Sequence, residues 1–183
     1  MLHMEQNSYI PLEFIVFGEI INSTSHIREI SRRTKINHMS IKRIAERLFN
    51  ENVLDFLIEG KNKTFFLKDN LEAKNMKMIY EHYKRLSFIK NNPSIRKIFE
   101  KISNNKNISL AILFGSHAKG LAHKNSDIDI YVKTTSLAIK KEIRLIDSRI
   151  SVKIGLFNKE ELLIKEIMKN HIIIKGIEEY YGE

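Results

Sequence analysis

The run Leu113-Phe114-Gly115-Ser116 and, eleven residues after Ser116, the run Asp127-Ile128-Asp129-Ile130 place the tightest limits on what this chain can fold into. The first is an apolar strand ending in a turn where glycine lets the backbone come close to a ligand. The second alternates acid and isoleucine. Side chains along a strand alternate faces, so Asp127 and Asp129 project from one side of a sheet while Ile128 and Ile130 enter the core on the other. Two carboxylates so spaced are hard oxygen ligands, suited to Mg²⁺ or Mn²⁺ in company with substrate phosphates. The Gly-Ser turn offers backbone N–H groups to a triphosphate.

In full, the pattern is Phe114-Gly115-Ser116-His117-Ala118-Lys119-Gly120, then Ser126-Asp127-Ile128-Asp129-Ile130. It resembles the nucleotidyltransferase superfamily of DNA polymerase beta and kanamycin nucleotidyltransferase, and within it the minimal nucleotidyltransferases. The resemblance runs from Ile108 to the C-terminus. It implies a domain that binds NTP and transfers NMP to an acceptor hydroxyl. Asp127 and Asp129 would be its catalytic and metal-binding residues, and Gly115, Ser116, Lys119 and Gly120 its nucleotide-binding residues. The resemblance also implies a third carboxylate on a later strand. The strand expected over Arg149–Phe157 turns Ser151, Lys153 and Gly155 toward the site, and none is acidic. Asp147 and Glu160 flank that strand outside its register. Lys153, standing where an acid is expected, would neutralise phosphate charge and favour binding over turnover. His117 and His123 flank the substrate loop, where they could touch phosphate or a leaving group, but they read first as exposed loop histidines without a role. Lys119 and Lys124 are the better phosphate candidates because lysine keeps its charge at pH 7.

The rest of this half predicts an α+β arrangement. Strands are expected at Ile108–Phe114, Ile128–Val132 and His171–Gly176, with helices at Leu137–Ile146 and Lys159–Met168. Together they form a mixed sheet with helices on one face, followed by a final turn at Glu178–Tyr181.

The N-terminal third carries a different pattern. Leu12–Ile20 reads as a buried helix. Asn22-Ser23-Thr24-Ser25 has helix-capping chemistry ahead of a helix over His26–Thr34. After a turn at Lys35–Asn37, a helix from His38 to Asn50 places Ile41, Ile44, Ala45 and Leu48 on one face. Val53–Glu59 and Thr64–Lys68 are strands joined by Gly60-Lys61-Asn62-Lys63, a hairpin. This order resembles a winged helix-turn-helix, whose second motif helix enters the major groove of DNA. His38, Ser40, Lys42, Arg43 and Arg47 are the polar side chains available to duplex DNA. Residues 28–47 hold seven basic residues against two acids. Lys61 and Lys63 at the wing tip either touch phosphates or keep the hairpin soluble.

Between the two lies Asn70–Asn107, where apolar residues recur at helical spacing and Asn91-Asn92-Pro93 divides two helices. These read as an amphipathic pair packed under the sheet, with Met76 and Met78 as core filler. The expected division is thus a winged helix-turn-helix at 1–69, a helical connector at 70–107 and a nucleotidyltransferase-like segment at 108–183.

Charge is unevenly spread. The net charge is +9, and residues 71–183 carry most of the excess, which suits phosphate-bearing partners. There is no cysteine, which excludes disulfides and thiolate metal sites. No apolar run reaches membrane-spanning length, and Met1–Glu5 lacks a signal-peptide pattern. A cytoplasmic protein without membrane contact is expected. Three functional classes follow: an NMP-transferring enzyme, a DNA-binding regulator whose nucleotidyltransferase fold senses nucleotide, and an antitoxin-type protein partner of a helical HEPN toxin. A homodimer is compatible with each.

Overall fold

The computed structural model describes residues 11–22, 25–60 and 62–182. Three readings of the sequence fall outside the described residues: the pattern of Met1–Glu5, the capping cluster at Ser23-Thr24, and Lys61 at the hairpin tip. The chain divides into two compact units, residues 6–83 and 84–183.

In the first unit, α1 (Leu12–Asn22), α2 (Ile27–Thr34) and α3 (His38–Asn50) precede a hairpin of β2 (Leu54–Glu59) and β3 (Asn62–Leu67). Asn37 starts α3 by accepting the Met39 N–H at 2.8 Å, a cap worth about 1 kcal/mol. Lys35 ends α2 in the left-handed region, φ 62°, which turns the chain sharply between the two helices. Ile41, Ala45 and Leu48 are fully buried and pack with Val16, Phe17, Ile20 and Ile30. Ile44 sits at the rim of that core.

A third strand was not anticipated. Ser25–His26 forms β1 and pairs antiparallel with β3. The His26 imidazole Nδ1 lies 2.8 Å from the buried Thr64 hydroxyl. Two residues are too few to leave any alternation, so only pairing with β3 defines this strand.

The helix α4 (Leu71–Asn91) does not behave as one half of a pair under the sheet. Ala73, Met76 and Tyr80 join the core of the first unit, whereas Phe88 and Ile89 join that of the second. Pro93 opens the single 3₁₀ turn Pro93–Ile95, which runs into α5 (Arg96–Asn104).

The second unit is built on a four-stranded sheet ordered β6-β5-β4-β7. These strands are β4 (Ala111–Phe114), β5 (Ile128–Lys133), β6 (Ile150–Gly155) and β7 (Ile172–Lys175). β5 and β6 are parallel and the other pairs antiparallel, so the sheet is mixed. The remaining elements are α6 (Gly115–Ala118), α7 (Leu137–Arg144), α8 (Leu162–Lys169) and α9 (Ile177–Gly182). Ile128, Ile130 and Val132 pack with Leu113, Val152, Ile98, Phe99 and Ile143 in a core on one face.

Helices on one face alone proved too few. The intervening residue Tyr131 is 2% exposed, and its ring lies 6.0 Å from Phe157, which lies 5.4 Å from Tyr180 of α9. An aromatic layer thus covers the second face as well. Gly176 permits the entry to α9: its φ is +81° and a Cβ there would strike the Ser109 carbonyl. Burial pushes the Tyr131 hydroxyl up to about 12, with Glu161 adding to the shift.

Candidate functional site

β4 delivers the chain to Gly115, and β5 sets the acids beside it. Phe114 pairs with Asp129 across the antiparallel ladder, so the Gly-Ser turn and the acid pair meet at one end of the sheet. Gly115 takes φ +70°, where L side chains are strained. A Cβ at this position would also collide with the Asp129 carboxylate. The turn and the acid are therefore packed against each other with no room for any side chain. α6 closes with the Lys119 N–H on the Gly115 carbonyl at 3.1 Å, and the Leu121 N–H on the Ser116 carbonyl at 2.9 Å. Gly120 leaves the turn at φ +68°.

Asp127, just ahead of β5, is exposed, while Asp129 is half-buried. The Asp129 carboxyl is held above the ordinary carboxylate range, first by burial and then by repulsion from Asp127. A hydrogen bond from Ser151 and the charges of His117 and Lys153 oppose that shift. A divalent cation would relieve this repulsion, and the donors, two carboxylates beside an open glycine turn, fit Mg²⁺ or Mn²⁺. Among the described residues no group of three or more His, Asp or Glu side chains is set to hold an ion by itself. The pair would depend on phosphate oxygens to complete a coordination shell.

The parallel register places Ser151 beside Asp129 and Lys153 beside Tyr131. Neither flanking acid supplies a third carboxylate. Asp147 accepts from Arg149 at 3.1 and 2.8 Å, which holds its carboxyl down at about 2. Glu160 pairs with Lys165 at 2.8 Å.

Other candidates occupy distinct positions. Lys119 pairs with Glu166 of α8 at 3.2 Å, an exposed contact that exchanges for a phosphate at little cost. Lys124 and His123 are exposed on the loop. His117 is not an exposed loop residue: both its ring nitrogens are buried and lack a hydrogen-bond partner. A cleft of about 280 Å³ escaped the sequence reading altogether; it runs from Asp127 past Ser151 and Arg149 to Lys140 and Arg144 of α7. The spacing of Lys140 and Arg144, one helical turn apart, was its only trace in the sequence.

In the first unit, His38, Lys42, Arg43 and Arg47 are exposed along α3 and Ser40 is half-buried. Arg47 is bound to Glu13 and Glu51, and Lys42 lies 3.8 Å from Glu46. Lys63 rests 4.0 Å from the centre of the Phe56 ring.

A mixed sheet with flanking helices and an acid pair beside a glycine turn fits the nucleotidyltransferase fold. Residues 96–180 match the family model described as Polymerase beta, Nucleotidyltransferase, which supports a nucleotidyltransferase-like domain in this segment. The match includes all four strands of the sheet and both acids, Asp127 and Asp129. The comparison with curated proteins finds no match. No helix among the described residues is long and apolar enough to cross a membrane.

Proposed function

We propose that the nucleotidyltransferase-type segment, residues 108–183, binds a nucleoside triphosphate with Mg²⁺ or Mn²⁺ and transfers its NMP slowly to a specific acceptor hydroxyl. The observation that carries this reading is the packing of Gly115 against Asp129, which leaves an open backbone turn beside a repelling carboxylate pair. Gly115, Ser116 and Gly120 would receive the phosphates, with Lys119 released from Glu166 to join them. Asp127 and Asp129 would hold the metal. When bound, such an ion supplies charge stabilisation at the transferring phosphorus.

In the transfer, the acceptor oxygen bonds to the α-phosphorus as the bond from that phosphorus to the β-phosphate bridging oxygen breaks, and pyrophosphate leaves. The hydroxyl proton needs an acceptor. Ser151 and Lys153 do not provide a carboxylate for it, which is why slow turnover is expected. The cleft lined by Lys140 and Arg144 offers an anionic acceptor an approach to Asp127.

Calorimetry with each NTP tests the binding step. Affinity is expected to rise at least tenfold on adding Mg²⁺, and Asp127→Asn is expected to remove that gain. Equal affinity in the variant would refute the assignment of the acids.

A second reading concerns residues 1–69 as a winged helix-turn-helix that contacts duplex DNA, joined through the connector at 70–107. It is favoured by Arg43, exposed on α3 and in no ion pair among the described residues, close behind the Asn37 cap. Duplex binding should weaken steeply with salt, since neutralised phosphates release counterions. Arg43→Ala should cost about 1–3 kcal/mol or lower the salt slope by about one. Arg47→Ala should cost less, because Glu13 and Glu51 already hold that guanidinium. Binding indifferent to salt and to Arg43 would remove DNA from the list of partners, leaving a protein partner.

A further inference from the structure

The face of the sheet that carries the acids also carries a cation. In a parallel pair, residues in register point to the same side. Ser151 therefore shares the side of Asp129, and Lys153, paired with Tyr131, follows two residues further along β6 on that same side. The hydrogen bond between Ser151 and Asp129 agrees with this register, and the Lys153 charge is felt at Asp129. Lys153 is exposed, and no carboxylate lies within ion-pair distance of its ammonium among the described residues. The acids that flank this strand in sequence are paired elsewhere, Asp147 with Arg149 and Glu160 with Lys165.

We propose that Lys153 is a phosphate-binding residue that takes the place of a second metal ion, so that this site binds a nucleoside triphosphate with a single divalent cation. The inference rests on the nucleotide-binding reading above and adds to it the stoichiometry and the residue responsible. Two carboxylates neutralise one divalent cation. A second would sit on the face that carries a fixed positive charge, with no third carboxylate on β6 to share it, and like charges repel. A lysine ammonium is a compact point charge suited to a phosphate oxygen. It cannot accept a proton from a hydroxyl while charged, so it supports nucleotide binding without supporting activation of the acceptor.

The test uses the full chain and each of ATP, CTP, GTP and UTP. Electron paramagnetic resonance titration with Mn²⁺ should find one protein-bound ion per nucleotide complex, and two would overturn the proposal. Calorimetry should show Lys153→Met weakening the NTP at least tenfold at saturating Mg²⁺, with Lys153→Arg retaining most of the affinity. Lys153→Asp should admit a second Mn²⁺. Because Lys153 is exposed, these variants should melt within a few degrees of the wild type, and a folded Lys153→Met with unchanged affinity would refute the inference while leaving the nucleotide-binding reading intact. A wild-type chain that binds no NTP would overturn both.

Discussion

Asp129→Asn is expected to abolish the Mg²⁺-dependent part of nucleotide affinity and at the same time to stabilise the fold at neutral pH. Both effects have one origin. Burial and the neighbouring Asp127 hold the Asp129 carboxyl above its ordinary value, so the folded chain keeps this proton more tightly than the unfolded chain does. By linkage, stability then falls as pH rises through the interval from the ordinary aspartate range to the raised value. Asparagine carries no charge to bury or repel, and its carbonyl still accepts from Ser151. The gain should be on the order of 0.5–2 kcal/mol, the usual return when a strained functional residue is relieved. It should vanish in acid below the ordinary aspartate value, where both forms are neutral. Thermal unfolding at pH 3 and pH 7 reads the difference directly. A variant less stable than wild type at pH 7 would mean that Asp129 is held by favourable contacts rather than repelled.

Ser151→Asp is expected to raise NMP transfer by about 10²-fold or more, the ordinary contribution of a positioned general base. Ser151 is the register partner of Asp129, so an acid there joins the existing pair on the same face without altering the strand. It would share the metal and offer the acceptor hydroxyl a place to leave its proton. Three carboxylates in one place repel, so the gain should depend on divalent cation and be accompanied by lower stability in its absence. Labelled ATP, CTP, GTP and UTP incubated with cell extract, with label followed into RNA, protein and small molecules, would measure it. Fast transfer by the wild type would show that the missing acid does not limit the reaction. Loss of that activity in Asp129→Ala would tie it to this site.

Much of the second unit was legible in the chain because its signals are local. The alternation in Asp127-Ile128-Asp129-Ile130 assigns each side chain to a face before any partner strand is known. A turn that brings backbone against a carboxylate needs glycine at Gly115, whatever surrounds it. The 3.6-residue period of Ile41, Ala45 and Leu48 likewise defined the inward face of α3, and Asn37 marked where that helix begins. The conclusion that Ser151 and Lys153 flank the acids also followed from strand period, once the strand had been recognised.

What only the tertiary structure decided was pairing. β1 exists because β3 lies beside it, and two residues hold no period of their own. The aromatic layer of Tyr131, Phe157 and Tyr180 joins three segments distant in sequence, so helices on one face was the natural but incomplete expectation. Ion pairs behaved in the same way: the choice of Glu166 for Lys119 and of Glu13 for Arg47 depends on which helix surfaces meet. α4 shows the same limit. Its amphipathic pattern marks a helix but does not say which core each turn enters, because apolar burial is non-directional and is resolved only by the packing around it.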